Sequence, residues 1–240
     1  KRMVQSKKIT LIRLKLKISG IVQNLLNQLL KDLQIYLKKI RRQSLMKRRL
    51  KILVACEYSG TVRDAFTKRG HYAVSCDIIP SESPGEHIQD DVLNHLHKGW
   101  DLIIAHPPCT YLSNAGARHL YPKGKLNEVR YKKGLEAKKF FMCFYNMDCK
   151  VAVENPIPST VFELPKYDQI VQPYEYGHPF QKKTCLWLKN LPKLKPTNIV
   201  KERESTKIPG NWYNKGGKER QKNRAKFFQG IAEAMADQWG

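Results

Sequence analysis

The first fifty residues hold a single acid, Asp32, beside 15 lysines and arginines. The other 190 still carry 29 basic against 20 acidic side chains. Both parts therefore favour a polyanionic partner, of which nucleic acid is the usual one. Paired cysteines are missing as well. Cys56, Cys76, Cys109, Cys143, Cys149 and Cys185 contain no Cys-x-x-Cys, so neither a thiolate metal site nor a disulfide framework is expected, and a reducing, cytoplasmic compartment is. No apolar run approaches the roughly 20 residues that span a bilayer. The basic start also lacks the unbroken apolar stretch and small-residue cleavage site of a secretory signal. Neither metal nor membrane is an expected partner.

What is present suits an α/β protein: 240 residues, 41% hydrophobic, are enough for one good-sized domain and an appendage. The appendage comes first. Residues 1–20 are basic with alternating apolar positions, and from Ile21 to Ile40 the residues Val22, Leu25, Leu26, Leu29, Leu30, Leu33, Leu37 and Ile40 recur at helical spacing. Such a basic amphipathic helix suits a nucleic-acid-binding arm or a membrane surface. Met46, followed by KRRLKILVAC, reads as a natural chain start, so residues 1–45 are expected to be an extension outside a catalytic unit at 46–240.

From Lys51 the pattern becomes strand, turn, helix, strand: KILVA (51–55), CEYSG (56–60), TVRDAFTKRG (61–70) closed by Gly70, and HYAVSCD (71–77) ending in an acid. A βαβ unit with a glycine in its first turn and a carboxylate closing its second strand has the logic of a nucleotide-type cofactor site. A lone Gly60 with Glu57 in the turn argues against a dinucleotide, whose pyrophosphate wants a richer glycine turn and a helix start free of acids; it suits a cationic ligand. HIQDDVLNHL (87–96) then places Asp90 and Asp91 after a short strand, where a solvated loop is the plain alternative.

DLIIA (101–105) is a buried strand that empties into His106-Pro107-Pro108-Cys109. The prolines fix φ and hold the backbone before them extended, so Cys109 would be presented on a stiff platform at the strand's carboxyl end, the edge where open α/β sheets bind ligands. The bland alternative is a small buried hydrophobe. Residues 111–125, with Ser113, Asn114, Gly116, Pro122 and Gly124, read as a polar loop and a lid candidate. Residues 128–146 read as a helix packing Leu135, Phe140, Phe141, Phe144 and Tyr145 onto the sheet. KVAVENP (150–156) is an apolar strand ending in Glu154-Asn155-Pro156, a second strand-end signal, although Glu-Asn also suits a turn cap. YEYGHPFQKKTCLWL (174–188) gives a turn, a cluster of Gln181, Lys182 and Lys183, and a strand from Thr184. Residues 189–223 are rich in Lys, Pro and Gly, and 224–240 close the chain as an amphipathic helix.

The order of glycine turn, strand-end acid, Asp-Val, PPC, ENP, YGxP with Gln-Lys-Lys, and a final Gln-Gly helix resembles the cytosine-C5 DNA methyltransferases, most closely the compact phage-type members, from about Lys51 onward. PPC before ENP, each after an apolar strand, is the specific part. The resemblance implies a Rossmann-like class I fold, a mostly parallel sheet flanked by helices, using S-adenosylmethionine to methylate C5 of cytosine in DNA, with the base flipped out and the enzyme monomeric. Cys109 would be the nucleophile, and Glu154 the carboxyl at N3, its pKa raised by burial; Lys183 would substitute for a missing arginine. Glu57, Ser59 and Gly60 would line the methionine end of the cofactor. Asp77 would hold the ribose, Ile78 would pack on the adenine, Asp91 and Val92 would lie near its amine, and Pro107 would border the methyl group. Ser113, Asn155, Gln181, Lys182 and Trp212 would contact the substrate, with a small recognition insert at about 189–223. An exocyclic-amine or RNA methyltransferase, or a catalytically silent nucleic-acid binder, remain the alternatives.

Overall fold

The computed structural model describes residues 20, 22–37, 48–203 and 227–240. The chain divides into two units, Lys1–Arg48 and Arg49–Gly240. In the first, residues 22–37 are helical (α1), and Val22, Leu25, Leu26, Leu29, Leu30, Leu33 and Leu37 are exposed. Ile40 and Met46 lie outside the described residues.

The second unit is built on a seven-stranded sheet: β1 (Lys51–Ala55), β2 (Tyr72–Asp77), β3 (His87–Gln89), β4 (Leu102–Ala105), β5 (Lys150–Pro156), β6 (Gln169–Val171) and β7 (Thr184–Lys189), in the order β3-β2-β1-β4-β5-β7-β6. The first five are parallel; β7 runs antiparallel to both β5 and β6. This is a Rossmann-like arrangement. Helices cover both faces, so β1 and β4 are apolar at every central position rather than alternating. The period of two still sorts them: Ile52 and Val54 join one core cluster, Leu53 and Ala55 the other. The first cluster is sealed by α2 (Thr61–Lys68) through Val62 and Phe66, and by the last helix, α5 (Gln229–Trp239), through Ile231, Met235 and Trp239. The second is sealed by α4 (Glu128–Tyr145), whose Phe141 and Phe144 meet Trp187 of β7 and the Leu53 side of the sheet. Leu135, expected on that packing face, is 39% exposed and falls on the solvent side of α4. α2 stops at Lys68, two residues short of Gly70, and α5 begins at Gln229 rather than at residue 224.

A buried arginine organises the loop after β2. Arg63 on α2 is 1% exposed and spends its whole guanidinium on neighbours: Nε donates to Asp64 (2.7 Å), Nη1 to Ser75 (3.1 Å) and Ser81 (3.3 Å), and Nη2 to the carbonyls of Ser83 (3.2 Å) and Pro84 (2.7 Å). Gly60 and Gly85 flank it. A Cβ on Gly60 would collide with the guanidinium, and one on Gly85 would lie 2.8 Å from Cζ. Both glycines also have positive φ, 75° and 133°.

The first part of the expected recognition insert belongs to the body of the fold. Residues 190–200 run as a strap over the segment before β7: Thr197 and Asn198 donate to the Glu175 carbonyl, Gly177 to Asn198 and Val200 to Tyr174, while Lys195 and Gln238 exchange two hydrogen bonds. The remainder, 204–223, lies outside the described residues, as does Trp212.

Candidate active site

The strand order reverses between β1 and β4, and the crevice beyond their carboxyl ends is where such sheets take ligands. The loops after β1, β2, β3 and β4 open onto that edge. After β1, Cys56 turns with φ of 57° and Gly60 with φ of 75°, which aims Glu57 back at the start of α2. Its carboxylate accepts from the backbone amides of Val62 (2.6 Å) and Arg63 (3.2 Å). These are the free helix-start amides that would otherwise bind a phosphate. The protein's own acid occupies them, so the turn does not suit a pyrophosphate. Burial pushes the Glu57 carboxyl above its usual range, against the pull of His106 and the two amides. Ser59 lies beside it, its Oγ 3.5 Å from Oε1.

After β2, Asp77 is half-buried and accepts from the Ile79 amide at 3.2 Å, and Ile78 leaves an apolar side chain 74% exposed next to it. After β3, Asp91 is exposed and caps a short 3-10 turn through Leu93 (3.0 Å), whereas the Val92 side chain is buried in the core. Asp90 binds His95 at 2.8 Å, a hydrogen bond that holds its carboxyl below the usual range.

The loop after β4 is tied to β5 by strand register. Ala105 pairs with Val153, so the next residues, His106 and Glu154, are neighbours across the sheet, and so are Pro107 and Asn155. His106 Nδ1 faces Glu154 Oε2 at 3.3 Å, and Asn155 Nδ2 donates to the Pro107 carbonyl at 3.3 Å. Asn155 is fully buried, and its Oδ1 has no hydrogen-bond partner among the described residues. Cys109 follows, half-buried, its carbonyl taking the Ser113 amide at 3.0 Å. Burial pushes the other interior thiols up, Cys76 to about 11, Cys185 to about 12, and Cys56 and Cys149 upward too, which leaves them poor nucleophiles. Cys143 is exposed on α4.

Glu154 departs from the sequence expectation. Burial does push its carboxyl up, but the His106 hydrogen bond and the charges of Lys182 and His106 outweigh it, and the group lies below the usual carboxylate range. Sequence alone does not show this, because His106 is 48 residues away and only the β4–β5 register brings it close. The cation acting on Glu154 is Lys182, half-buried near the Phe228 ring (5.9 Å); Lys183 and Gln181 are exposed.

The lid candidate is anchored at its start. Ser113 is buried and caps the short helix α3 (Asn114–Ala117); Asn114 donates to Ile157, Ser159 to Leu112, and Arg130 Nη2 to the Thr110 and Gly116 carbonyls at 2.9 and 3.1 Å. Leu112 and Leu120 are buried beneath it. Sequence reading did not place His106, Arg63 or Arg130 at the site. The one available signal was a histidine directly before PPC at a strand end.

Among the described residues, no group of His, Cys, Asp and Glu is arranged to hold a metal, and no helix is long and apolar enough to cross a membrane.

No family model matches the chain, and no curated protein does. Among solved structures, the Entamoeba histolytica methyltransferase EhMeth matches with a TM-score of 0.40 and 14% identity, over 64% of this chain and 58% of its own. The chain thus spans well under two thirds of that protein's length. It is the strand order and register of this chain that make the fold Rossmann-like.

Proposed function

We propose that the protein is an S-adenosylmethionine-dependent methyltransferase that modifies C5 of cytosine in DNA through a covalent cysteine adduct. The observation that carries the reading is the lock between the PPC and ENP segments: β4 gives way to the PPC loop at Ala105, opposite Val153, β5 runs on through Glu154 and Asn155, and Asn155 donates to Pro107, tying the Cys109 loop to the strand that bears Glu154. A thiol and a carboxyl held at one sheet edge are what this chemistry needs, because C5 of cytosine is too weak a nucleophile until a thiolate has added to C6.

The cofactor fits the first three loops. Glu57 takes the free amides of the helix start, which leaves none for a phosphate and presents carboxyl oxygens as acceptors for the ammonium group of a sulfonium ligand. Exposed Ile78 offers an apolar surface for a base, with Asp77 beside it for ribose hydroxyls and Asp91 near the amine. Ser59, Gly60 and Pro107 complete the lining. When bound, S-adenosylmethionine supplies an electrophilic methyl group.

The chain's own residues do the rest. Cys109 Sγ bonds to C6, the electrons of the C5–C6 double bond move toward N3, and Glu154 holds N3 as it takes a proton. C5 gains its nucleophilicity from that adduct; once C5 is methylated, solvent water takes its proton, the C5–C6 double bond re-forms as the Cys109–C6 bond breaks, N3 gives its proton back to Glu154, and the thiolate returns. Lys182, whose charge acts on Glu154, and its neighbour Gln181 contact the flipped base, and Ser113 and Asn155 hold the surrounding loops. A base inside a duplex cannot reach this edge, so flipping costs about a few kcal/mol, offset by phosphate contacts from the basic surface.

The test is transfer of labelled methyl from S-adenosylmethionine to mixed-sequence DNA, wild type beside Cys109→Ala, followed by nucleoside analysis. 5-Methylcytosine that vanishes in the variant is the expected result. Transfer that survives loss of Cys109 would point to an exocyclic amine, transfer to RNA alone would change the acceptor, and no transfer would leave a silent binder.

A further inference from the structure

His106 has no part in the reaction as described so far, yet it sits between the two acids of the crevice. Its ring lies at the carboxyl end of β4, with Nδ1 3.3 Å from Glu154 Oε2 and one face on Phe227 at 4.7 Å. Its Nε2 is buried without a hydrogen-bond partner among the described residues. The charges around it come from three elements: Glu57 in the turn after β1, Glu154 on β5, and Lys182 before β7 acting on Glu154. Cys185 on β7 pairs with Asn155 and is buried on the other face of the sheet, where burial and the charge of Glu154 push its thiol up.

N3 must gain a proton as the thiolate adds to C6. A carboxylate that rests ionised has none to give, and His106 is the hydrogen-bonded neighbour able to supply it. We infer that His106 is the positioning residue for Glu154 and the source of the proton taken up at N3, an inference that rests on the function proposed above. In the loaded state the imidazolium donates Nδ1–H to Glu154 Oε2. As charge builds on N3, the Nδ1 proton passes to Glu154 Oε2 and on from that same oxygen to N3. Glu154 ends as it began, and His106 ends neutral with its remaining hydrogen on Nε2. When the adduct collapses, the N3 proton returns by the same route.

The experiment pairs two readouts on the full chain, wild type beside His106→Asn, a variant that keeps a donor toward Glu154 but carries no exchangeable ring proton. The first is a carbon-13 NMR titration of the Glu154 carboxyl in the free protein, which does not depend on the reaction. The second is the pH profile of kcat for methyl transfer to DNA. The variant is expected to move the Glu154 titration toward the ordinary carboxyl range, to lower kcat about 100-fold as loss of a general acid does, to leave KM nearly unchanged, and to abolish the alkaline decline of the profile. An unmoved Glu154 titration overturns the pair, and a wild-type profile in the variant overturns proton delivery. Should His106→Asn not fold, Glu154→Gln in the otherwise native chain must change the nitrogen-15 resonances of the His106 ring; unchanged resonances overturn the inference equally. A wild type that transfers no methyl at all refutes the proposed function, an outcome distinct from failure of the pair.

Discussion

Replacing Arg63 by methionine removes a buried charge of similar bulk and strands the groups it binds. Five hydrogen bonds are lost, two to backbone carbonyls that fix the loop after β2. At about 1 kcal/mol net for each bond the sum would be about 5 kcal/mol. Part returns, because the buried guanidinium no longer has to be desolvated and Asp64, 45% exposed, regains water. The expected loss is about 3 kcal/mol, close to that for breaking a buried pair by removing one partner. For a domain of this size that is a fall in Tm of about 6–12 °C. Urea denaturation measures it, with an unchanged m-value showing that the same surface unfolds. Because the loop follows Asp77 and Ile78, the affinity for S-adenosylmethionine should also fall about tenfold, or about 1.4 kcal/mol. Arg63→Lys should be intermediate: lysine restores a charge but not the planar fork. A methionine variant within about 0.5 kcal/mol of wild type, the usual range for an inconsequential surface change, would refute the account of Arg63. A destabilised variant with unchanged cofactor affinity would refute the link from loop to site.

Gly134 of α4 lies under the Phe162 ring, which an added Cβ would overlap; Gly134→Ala should cost about 1–3 kcal/mol as overpacking does, despite alanine's better helix propensity, and a stabilised variant by thermal melting would contradict the packing. Asn155→Ala cuts the tether to Pro107 and should reduce kcat for methyl transfer by about 10–100-fold through misplacement of the Cys109 loop, at a stability cost of about 1 kcal/mol; unchanged kcat would show that the tether is idle. Glu154 titrates below its usual range in the folded protein, so its ionised form stabilises the fold above the unfolded carboxyl's range, near pH 4.3, and that contribution is lost as pH falls through the folded value. The difference in unfolding free energy between wild type and Glu154→Gln should therefore shrink on acidification; a difference that grows would reverse the sign.

The strands β1, β2, β4 and β5 were legible because each is an apolar run bounded by an acid or a turn residue, the pattern of a strand buried on both faces. β6 was not. Gln169–Val171 is three residues long and owes its strand character to pairing with β7, which lies beyond it in sequence. The positions of Cys109 and Glu154 at one edge followed from two strand-end motifs. What Glu154 experiences there did not, because its partners arrive through register and through the segment before β7. Glu57 shows the converse: the pattern suggested a ligand-facing acid, yet the left-handed Gly60 bends the chain so that the carboxylate caps α2 and occupies amides that a phosphate would need. Arg63 reads as an ordinary surface residue of a short helix, and only the two flanking glycines hint at the space it needs.

The position of β7 has a consequence for the newborn chain. It lies between β5 and β6 and is the described partner of both, so while the ribosome has delivered the chain only as far as Lys183, the outer edge of β5 is open and β6 has nowhere to settle. That open edge is the strand bearing Glu154 and Asn155. An unpaired apolar strand invites pairing with another chain, so the nascent protein is most prone to misassembly along the rim that carries the candidate site. Synonymous changes that slow translation just before Thr184 would lengthen that vulnerable interval and should raise the aggregated fraction with no change in any amino acid.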